Sequence, residues 1–394
     1  MKITRIETFL VDAKPQQAGG WEARNWLFVK VHTDEGIYGV GEASGWPRVV
    51  QTAIEDLTQL LIGEDPTHID RLWQKMLCSI MGHGMTGVVG FGAMTGIEMA
   101  LWDLKGKALG VPVWNLLGGK IRDKIRVYAH AHDAERAREL VDRGYTAIKT
   151  GGIRNCVESV EGIRKEVGPD VDLMVDVHGP PWMTTGDAIA LGHRLQPYDL
   201  FFYEDPVAPE NIDAIARVSA SVDIPIAAGE RHAGIWGVKE LIEREIIDVV
   251  QPDTGRAGGL RQMQKIAAMA EAHYITMAPH DGSLGPIAEM AAVHLMACIP
   301  NFLILEHLED DVQQRYEVMS GQPTVVDSHI AVPDAPGLGV DIVEEACVKY
   351  PSDGNVSQPE DTYDYQYFWT RENRATWLSS QEKERSEYRP GSVF

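Results

Sequence analysis

Asp176, Glu204 and Glu230 each stand at the C-terminal end of a short apolar run, in DLMVDVHG, LFFYEDP and IPIAAGER. Runs of this length read as parallel strands, and acidic side chains at the ends of successive strands face one mouth. Three carboxylates gathered there repel one another unless a cation lies among them. Oxygen-only ligation selects a hard ion, and a site that must also admit a substrate favours Mg²⁺ over Zn²⁺. Taken singly, each acid could instead cap the helix that follows it; three in register favour the metal.

Two histidines fall at strand ends in the same mouth. His178 lies two residues past Asp176, so both side chains point the same way on an extended strand. His280 ends YITMAPH, and the preceding strand ends at Asp253 in VVQPD. A carboxylate beside an imidazole fixes its tautomer and stabilises its charged form, which makes His280 a candidate general base. Glu306, in LILEH, is placed to donate or accept a hydrogen bond at a developing oxyanion, or else to cap a helix. Lys149, in TAIKTGG, points either into the mouth or toward the barrel wall, and its charge suits the acids in both cases.

The elements that must position these groups follow from periodicity. Residues 1 to about 40 alternate with period two, in ITRIETFLV and WLFVKVHTDEGIYGVGEA, and predict an antiparallel sheet. Residues 48–118 carry helical patterns, the last closed by Gly110 and Pro112. From Gly119 onward, eight strand-like runs alternate with helical stretches at spacings of about 20 to 30 residues, the rhythm of a (β/α)8 barrel. The expected division is an α+β capping domain over 1–118, a barrel over 119–345, and an extension over 346–394 packed on the body. Two glycine-rich loops of the first domain, Gln16 to Asn25 and Gly82 to Gly84, are placed to fold over the mouth. Trp21, Arg24, Asn25 and His83 are their candidate substrate contacts, with Lys149 beneath.

Composition narrows the function. The 394 residues carry 36 Lys and Arg against 58 Asp and Glu, a formal charge of −22, which argues against nucleic-acid and anionic-membrane partners. The same acidity would repel an anionic substrate unless a local cation dominated the field in the site. Cys78, Cys156, Cys298 and Cys347 are widely spaced and read as buried thiols in a reducing compartment. No stretch reaches the roughly 18 apolar residues of a membrane span, and the N-terminus lacks a signal-peptide core, so the cytoplasm is the expected location.

TGIEMALWDLKGKALGVPVWNLLGG, DVHG, YEDP, AGER, QPDTGRAGG, MAPH and LEH, in this order, resemble the mandelate racemase branch of the enolase superfamily over about residues 1–345. Within it, the sequence looks most like the D-galactonate dehydratase-type sugar-acid dehydratases. The resemblance implies a capping domain on a modified barrel, Mg²⁺ as cofactor, a small sugar acid as substrate and a homo-oligomer. Carried over by motif, Asp176, Glu204 and Glu230 match the metal ligands, Asp253 with His280 the base pair, His178 the acid and Glu306 the electrophilic carboxylic acid. One departure stands out. Where the racemases place KxK on the second barrel strand, this chain reads Lys149, Thr150, Gly151. With the second lysine missing, racemisation through two opposed bases is disfavoured and β-elimination of water is favoured. His280 would take the α-proton, His178 would protonate the leaving hydroxyl, and a protonated Glu306 would support the enediolate. An epimerase or cycloisomerase, a non-catalytic sugar-acid binder and an unrelated Mg²⁺-dependent phosphate enzyme remain as alternatives.

Overall fold

The computed structural model describes residues 1–14, 24–83, 87–153, 155–179, 181–309, 312–352 and 354. Strands β1 (Ile3–Asp12), β2 (Asn25–Thr33) and β3 (Tyr38–Ala43) form an antiparallel sheet in that order, with Thr8 opposite Val29 and Leu27 opposite Ala43. Three helices cover it: α1 (Pro47–Leu61), α2 (Ile69–Ile80) and α3 (Val88–Leu109). Pro47 opens α1, where its missing N–H costs nothing, and Gly110 ends α3 in the left-handed region at φ +69°.

Helix α3 is buried along most of its length because it lies between the sheet and the rest of the molecule. Its contact with β3 is closer than side chains permit. A Cβ added at Gly41 would fall 2.3 Å from the Gly96 carbonyl oxygen, and one at Gly39 would fall 2.0 Å from that of Ala100. The glycines of YGVGEA therefore set the spacing between strand and helix.

Eight parallel strands follow: β4 (Lys124–His130), β5 (Ala147–Gly151), β6 (Asp172–Asp176), β7 (Leu200–Glu204), β8 (Ile226–Ala228), β9 (Val249–Val250), β10 (Thr276–Met277) and β11 (Leu305–Glu306). They pair in sequence from β4 to β10, and β11 pairs with β4 through Leu305 opposite Val127. A parallel bridge between Met277 and Phe302 joins β10 to the approach of β11. The expected eight-stranded ring is present.

The ring is filled by one side chain from each strand region: Tyr128, Ala147, Met174, Phe202, Ala227, Val249, Ala278 and Ile304. Small residues beside large ones let this layer close-pack, so the interior is solid beneath the mouth. After β11 the pattern departs from a simple repeat. The five-residue helix Gln313–Glu317 stands where a long covering helix would come, and strand His329–Ala331 returns to pair antiparallel with β4, Ile330 opposite Ile125.

All four cysteines are free. Cys156 and Cys347 are buried, Cys298 is half-buried, and Cys78 is exposed on α2, contrary to the expectation that all four lie inside. No helix among the described residues is long and apolar enough to cross a membrane.

Candidate active site

Parallel strands deliver their final residues to one end of the ring, and the three acids arrive there from neighbouring staves. Asp176 and Glu204 end β6 and β7 directly opposite each other, and Glu230 lies two residues beyond β8. All three are at most 9% exposed.

Lys149, on β5, points into this mouth. Its Nζ donates to Glu204 Oε2 at 3.0 Å and lies 2.8 Å from Glu306 Oε1 and 3.6 Å from Asp176 Oδ2. Burial works against its charge, but Glu204 and Glu306 outweigh it and hold the ammonium well above its usual range. Thr150 and Gly151 follow on the strand, so no second lysine comes with it.

His280 and Asp253 form the expected pair. Their backbones make a parallel bridge, and His280 Nδ1 lies 2.8 Å from Asp253 Oδ2. Gly255 N–H donates to the other carboxylate oxygen, and Arg256 Nη2 lies 3.2 Å from Oδ2, so the carboxylate cannot turn away. With Nδ1 engaged, Nε2 is the nitrogen left to work, and it faces Glu230 Oε2 at 3.0 Å. Burial would lower the imidazole, but the charges of Glu230 and Glu306 and the bond to Asp253 push it up to about 10.

His178 sits across the mouth with Nδ1 2.9 Å from Asp176 Oδ1. Burial is again overcome, here chiefly by the Asp176 charge, and the ring is raised to about 9. The shift favours the protonated ring, the form a general acid needs, as it does for His280. Asp176 is held below its usual range by Lys149 and His178 against the effect of burial, and Glu230 likewise by His280 and His178.

Glu306 lies among donors. Its Oε2 accepts from the backbone N–H groups of Asp281 at 2.8 Å and Gly282 at 2.7 Å, while Oε1 faces Lys149 and, at 2.9 Å, His130 Nε2. These surroundings suit an ionised acceptor. Burial notwithstanding, Lys149 and His280 hold the carboxyl well below its usual range, a direction opposite to that of the protonated donor expected from sequence.

Whether the acids suit a divalent cation can be judged from their oxygens. Glu204 Oε1 is buried with no hydrogen-bond partner, and burial together with the Asp176 charge pushes the group up to about 8 despite Lys149. An orphaned oxygen beside two further carboxylates is a hard, oxygen-only donor set that fits Mg²⁺. Among the described residues, no three such side chains are already drawn about a single point. Asp176 is turned to His178, Glu204 to Lys149, and Glu230 to His280 and Arg231, whose Nη2 lies 3.1 Å away.

The capping domain closes one side of the mouth. A cleft of about 230 Å³ is lined by Arg24, Asn25, Ser44 and Glu42 from that domain and by Arg256 and Ser283 from the barrel. Arg24 and Asn25 thus face the loops that follow Asp253 and His280. Trp21 and the side chain of His83 fall outside the described residues. Two groups at the site were missed from sequence. His130 ends β4 as His178 and His280 close their own runs, so the strand-end signal could have found it. Asp205, buried with Oδ2 lacking a hydrogen bond but 3.6 Å from Arg231 Nε, and raised to about 7 by burial and the Glu230 charge, had no signal separating it from a turn residue.

Residues 5–118 match the mandelate racemase / muconate lactonizing enzyme N-terminal domain, and residues 132–346 match the enolase C-terminal domain-like family. A D-xylonate dehydratase from Haloferax volcanii is 34% identical over 383 residues, covering 90% of each chain. A D-galactonate dehydratase from Ralstonia pickettii is 35% identical over 377 residues, 89% of this chain and 94% of the relative. Among solved structures, the 3,6-anhydro-D-galactonate cycloisomerase from Zobellia galactanivorans superposes with a TM-score of 0.83 at 32% identity, covering 90% of this chain and 100% of that one. The chain belongs to the mandelate racemase and muconate lactonizing enzyme branch of the enolase superfamily, and its relatives place it with the hydro-lyases of that branch.

Proposed function

We propose that the protein is a Mg²⁺-dependent dehydratase of an aldonate such as D-galactonate, converting it to the 2-keto-3-deoxy acid. The observation that carries this reading is the presence in one mouth of two histidines, each oriented by its own carboxylate. His280 is held by Asp253 on one side of the mouth, and His178 by Asp176 on another.

Removing a proton α to a carboxylate places a second negative charge on an anion, so the site must offer positive charge in advance. Asp176, Glu204 and Glu230 would hold the cation. When bound, Mg²⁺ would offset their charge, lessen what keeps His280 protonated, and draw electron density from the substrate carboxylate. His280 Nε2 takes the α-proton, with Asp253 fixing the ring and stabilising the imidazolium. Lys149 supplies fixed positive charge beside the developing enediolate, and Glu306 holds that lysine and the Asp281–Gly282 backbone in place. His178 gives its proton to the departing β-hydroxyl, which leaves as water, and the enol tautomerises to the ketone. General acid and general base assistance would each contribute about 10²- to 10⁴-fold. Arg24 and Asn25 face the part of the cleft where a polyol chain would extend.

A cycloisomerase or epimerase is the second reading, supported by the likeness to the Zobellia galactanivorans enzyme and by His178 as a possible second base. A panel of aldonates and pentonates assayed for 2-keto-3-deoxy acid, with Mg²⁺ and with EDTA, separates the two. Chelator-sensitive keto-acid production supports dehydration; an isomer formed without release of water supports the second reading.

A further inference from the structure

Asp253 and His280 each begin a loop, and the far end of each loop is fastened to the capping domain. The loop from Asp253 runs into helix Leu260–Ala272, and the loop from His280 runs into helix Pro286–Met296. Both helices start from a glycine, Gly259 or Gly285, which offers no side-chain cap. The orphan N–H groups of their first turns are met from the other domain. Glu98, on α3, accepts from Leu260 N–H at 2.9 Å and Arg261 N–H at 3.0 Å, and its own position is held by Trp102 Nε1 at 2.8 Å. Glu42, on β3, accepts from Gly285 N–H at 2.5 Å and Ala288 N–H at 3.0 Å. Both carboxylates are at most 1% exposed.

The first loop is tied at further points. Ser44 N–H donates to the Gly255 carbonyl at 2.8 Å, Gly258 N–H donates to Thr95 Oγ1 at 2.9 Å, and Trp73 Nε1 donates to the Gly258 carbonyl at 2.7 Å. Small residues make these approaches feasible. A Cβ added at Gly259 would lie 2.5 Å from Glu98 Oε2, and one at Gly285 would lie 2.8 Å from Glu42 Oε1. Gly255, Gly258, Gly259 and Gly285 therefore serve contact with the capping domain, whereas Gly282 packs against Glu306 of the barrel.

We infer that Glu98 and Glu42 are positioning residues for proton abstraction, each anchoring the loop that carries one member of the Asp253–His280 pair. This inference rests on that pair being the base. The capping domain is then part of the device that sets the reactive imidazole, in addition to closing over the substrate. A helix N-terminus released by loss of its partner can shift the preceding loop, and displacement of a reacting group by about 1 Å costs on the order of 100-fold in rate.

The test compares Glu42→Gln, Glu98→Gln and Asp103→Asn. Asp103 is a third buried capping-domain carboxylate, accepting from Val40 N–H and Leu338 N–H at 2.8 Å each, and it touches neither loop. Turnover and exchange of the α-proton with D₂O are measured on the aldonate identified by the panel. The Nδ1–H resonance of His280, assigned by its loss in His280→Asn, gives a reading that needs no substrate. The expected result is a fall in kcat of about 10- to 100-fold in both glutamine variants with KM within about twofold, and a moved or broadened Nδ1–H signal. Asp103→Asn is expected to lower thermal stability comparably while keeping kcat and the resonance. Parent turnover and an unmoved resonance in Glu42→Gln and Glu98→Gln overturn the inference, as does an equal loss in Asp103→Asn. Should Glu42→Gln not fold, Gly285→Ala crowds the same carboxylate without removing it and is read the same way. Parent-rate exchange in His280→Asn defeats the base assignment itself, which separates the two failures.

Discussion

His280 Nδ1 lies 2.8 Å from Asp253 Oδ2, and the same two residues are joined through their backbones as a parallel bridge. The bond therefore does not depend on the chance meeting of two flexible side chains. His280→Asn is expected to abolish α-proton exchange with D₂O. Asp253→Asn keeps the shape but removes the charge that stabilises the imidazolium, and is expected to slow exchange by about 10²- to 10⁴-fold. Exchange persisting at the parent rate in both variants, followed by NMR, would remove this pair from the mechanism.

Lys149 is the sole lysine on its strand and contacts three of the site's carboxylates. Lys149→Met fills similar volume but leaves buried charge without its partner, a change that costs about 3–5 kcal/mol. Urea unfolding at neutral pH without divalent ions is the measurement. A variant as stable as the parent would mean that the acids do not need this cation.

A ligand that binds only the folded state stabilises it by about 2.7 kcal/mol at 100 times its dissociation constant. Mg²⁺ is accordingly expected to raise the melting temperature of the parent and to have little effect on Glu204→Gln, which replaces the carboxylate bearing the orphaned oxygen. A melting curve indifferent to Mg²⁺ in the parent would count against the metal site.

His307, on the outer side of the ring next to Glu306, lies 2.5 Å from Glu289 and 3.6 Å from Glu309, with Arg315 also bonded to Glu289. Burial opposes its charge, but Glu289 prevails and raises the ring from 6.5 to about 9. A histidine raised in the folded state contributes stability that is complete below pH 6.5 and is lost as pH climbs through about 9. The gap corresponds to about 3 kcal/mol. Urea midpoints taken across this window should fall in the parent and fall less steeply in His307→Gln, the remaining slope belonging to His178 and His280, which are raised in the same way; parallel curves would show that His307 does not contribute.

Much of this site is legible in the chain because a strand in a parallel ring can send its last residue only toward one end. Asp176, Glu204, Glu230, Asp253, His280 and Glu306 all follow apolar runs, and that position alone assigns them to one mouth. The same rule applied to IRVYAH would have added His130. Glu42 and Glu98 escape it. One lies on a strand and the other in a long helix of the first domain, and nothing in their local pattern separates them from ordinary charged positions.

What the order of residues determined unaided is the ring and most of the groups at its mouth, since these follow from local periodicity and spacing; the missing second lysine shows only beside the racemase pattern that the chain resembles. Only the packed molecule decided which acid each cation serves, that Glu306 accepts from the Asp281 and Gly282 backbone with Lys149 and His130 close by, and that two distant carboxylates hold the loops behind Asp253 and His280. Those outcomes depend on distances between segments up to 246 residues apart and on the loss of water around them, and neither is written in any short stretch of chain.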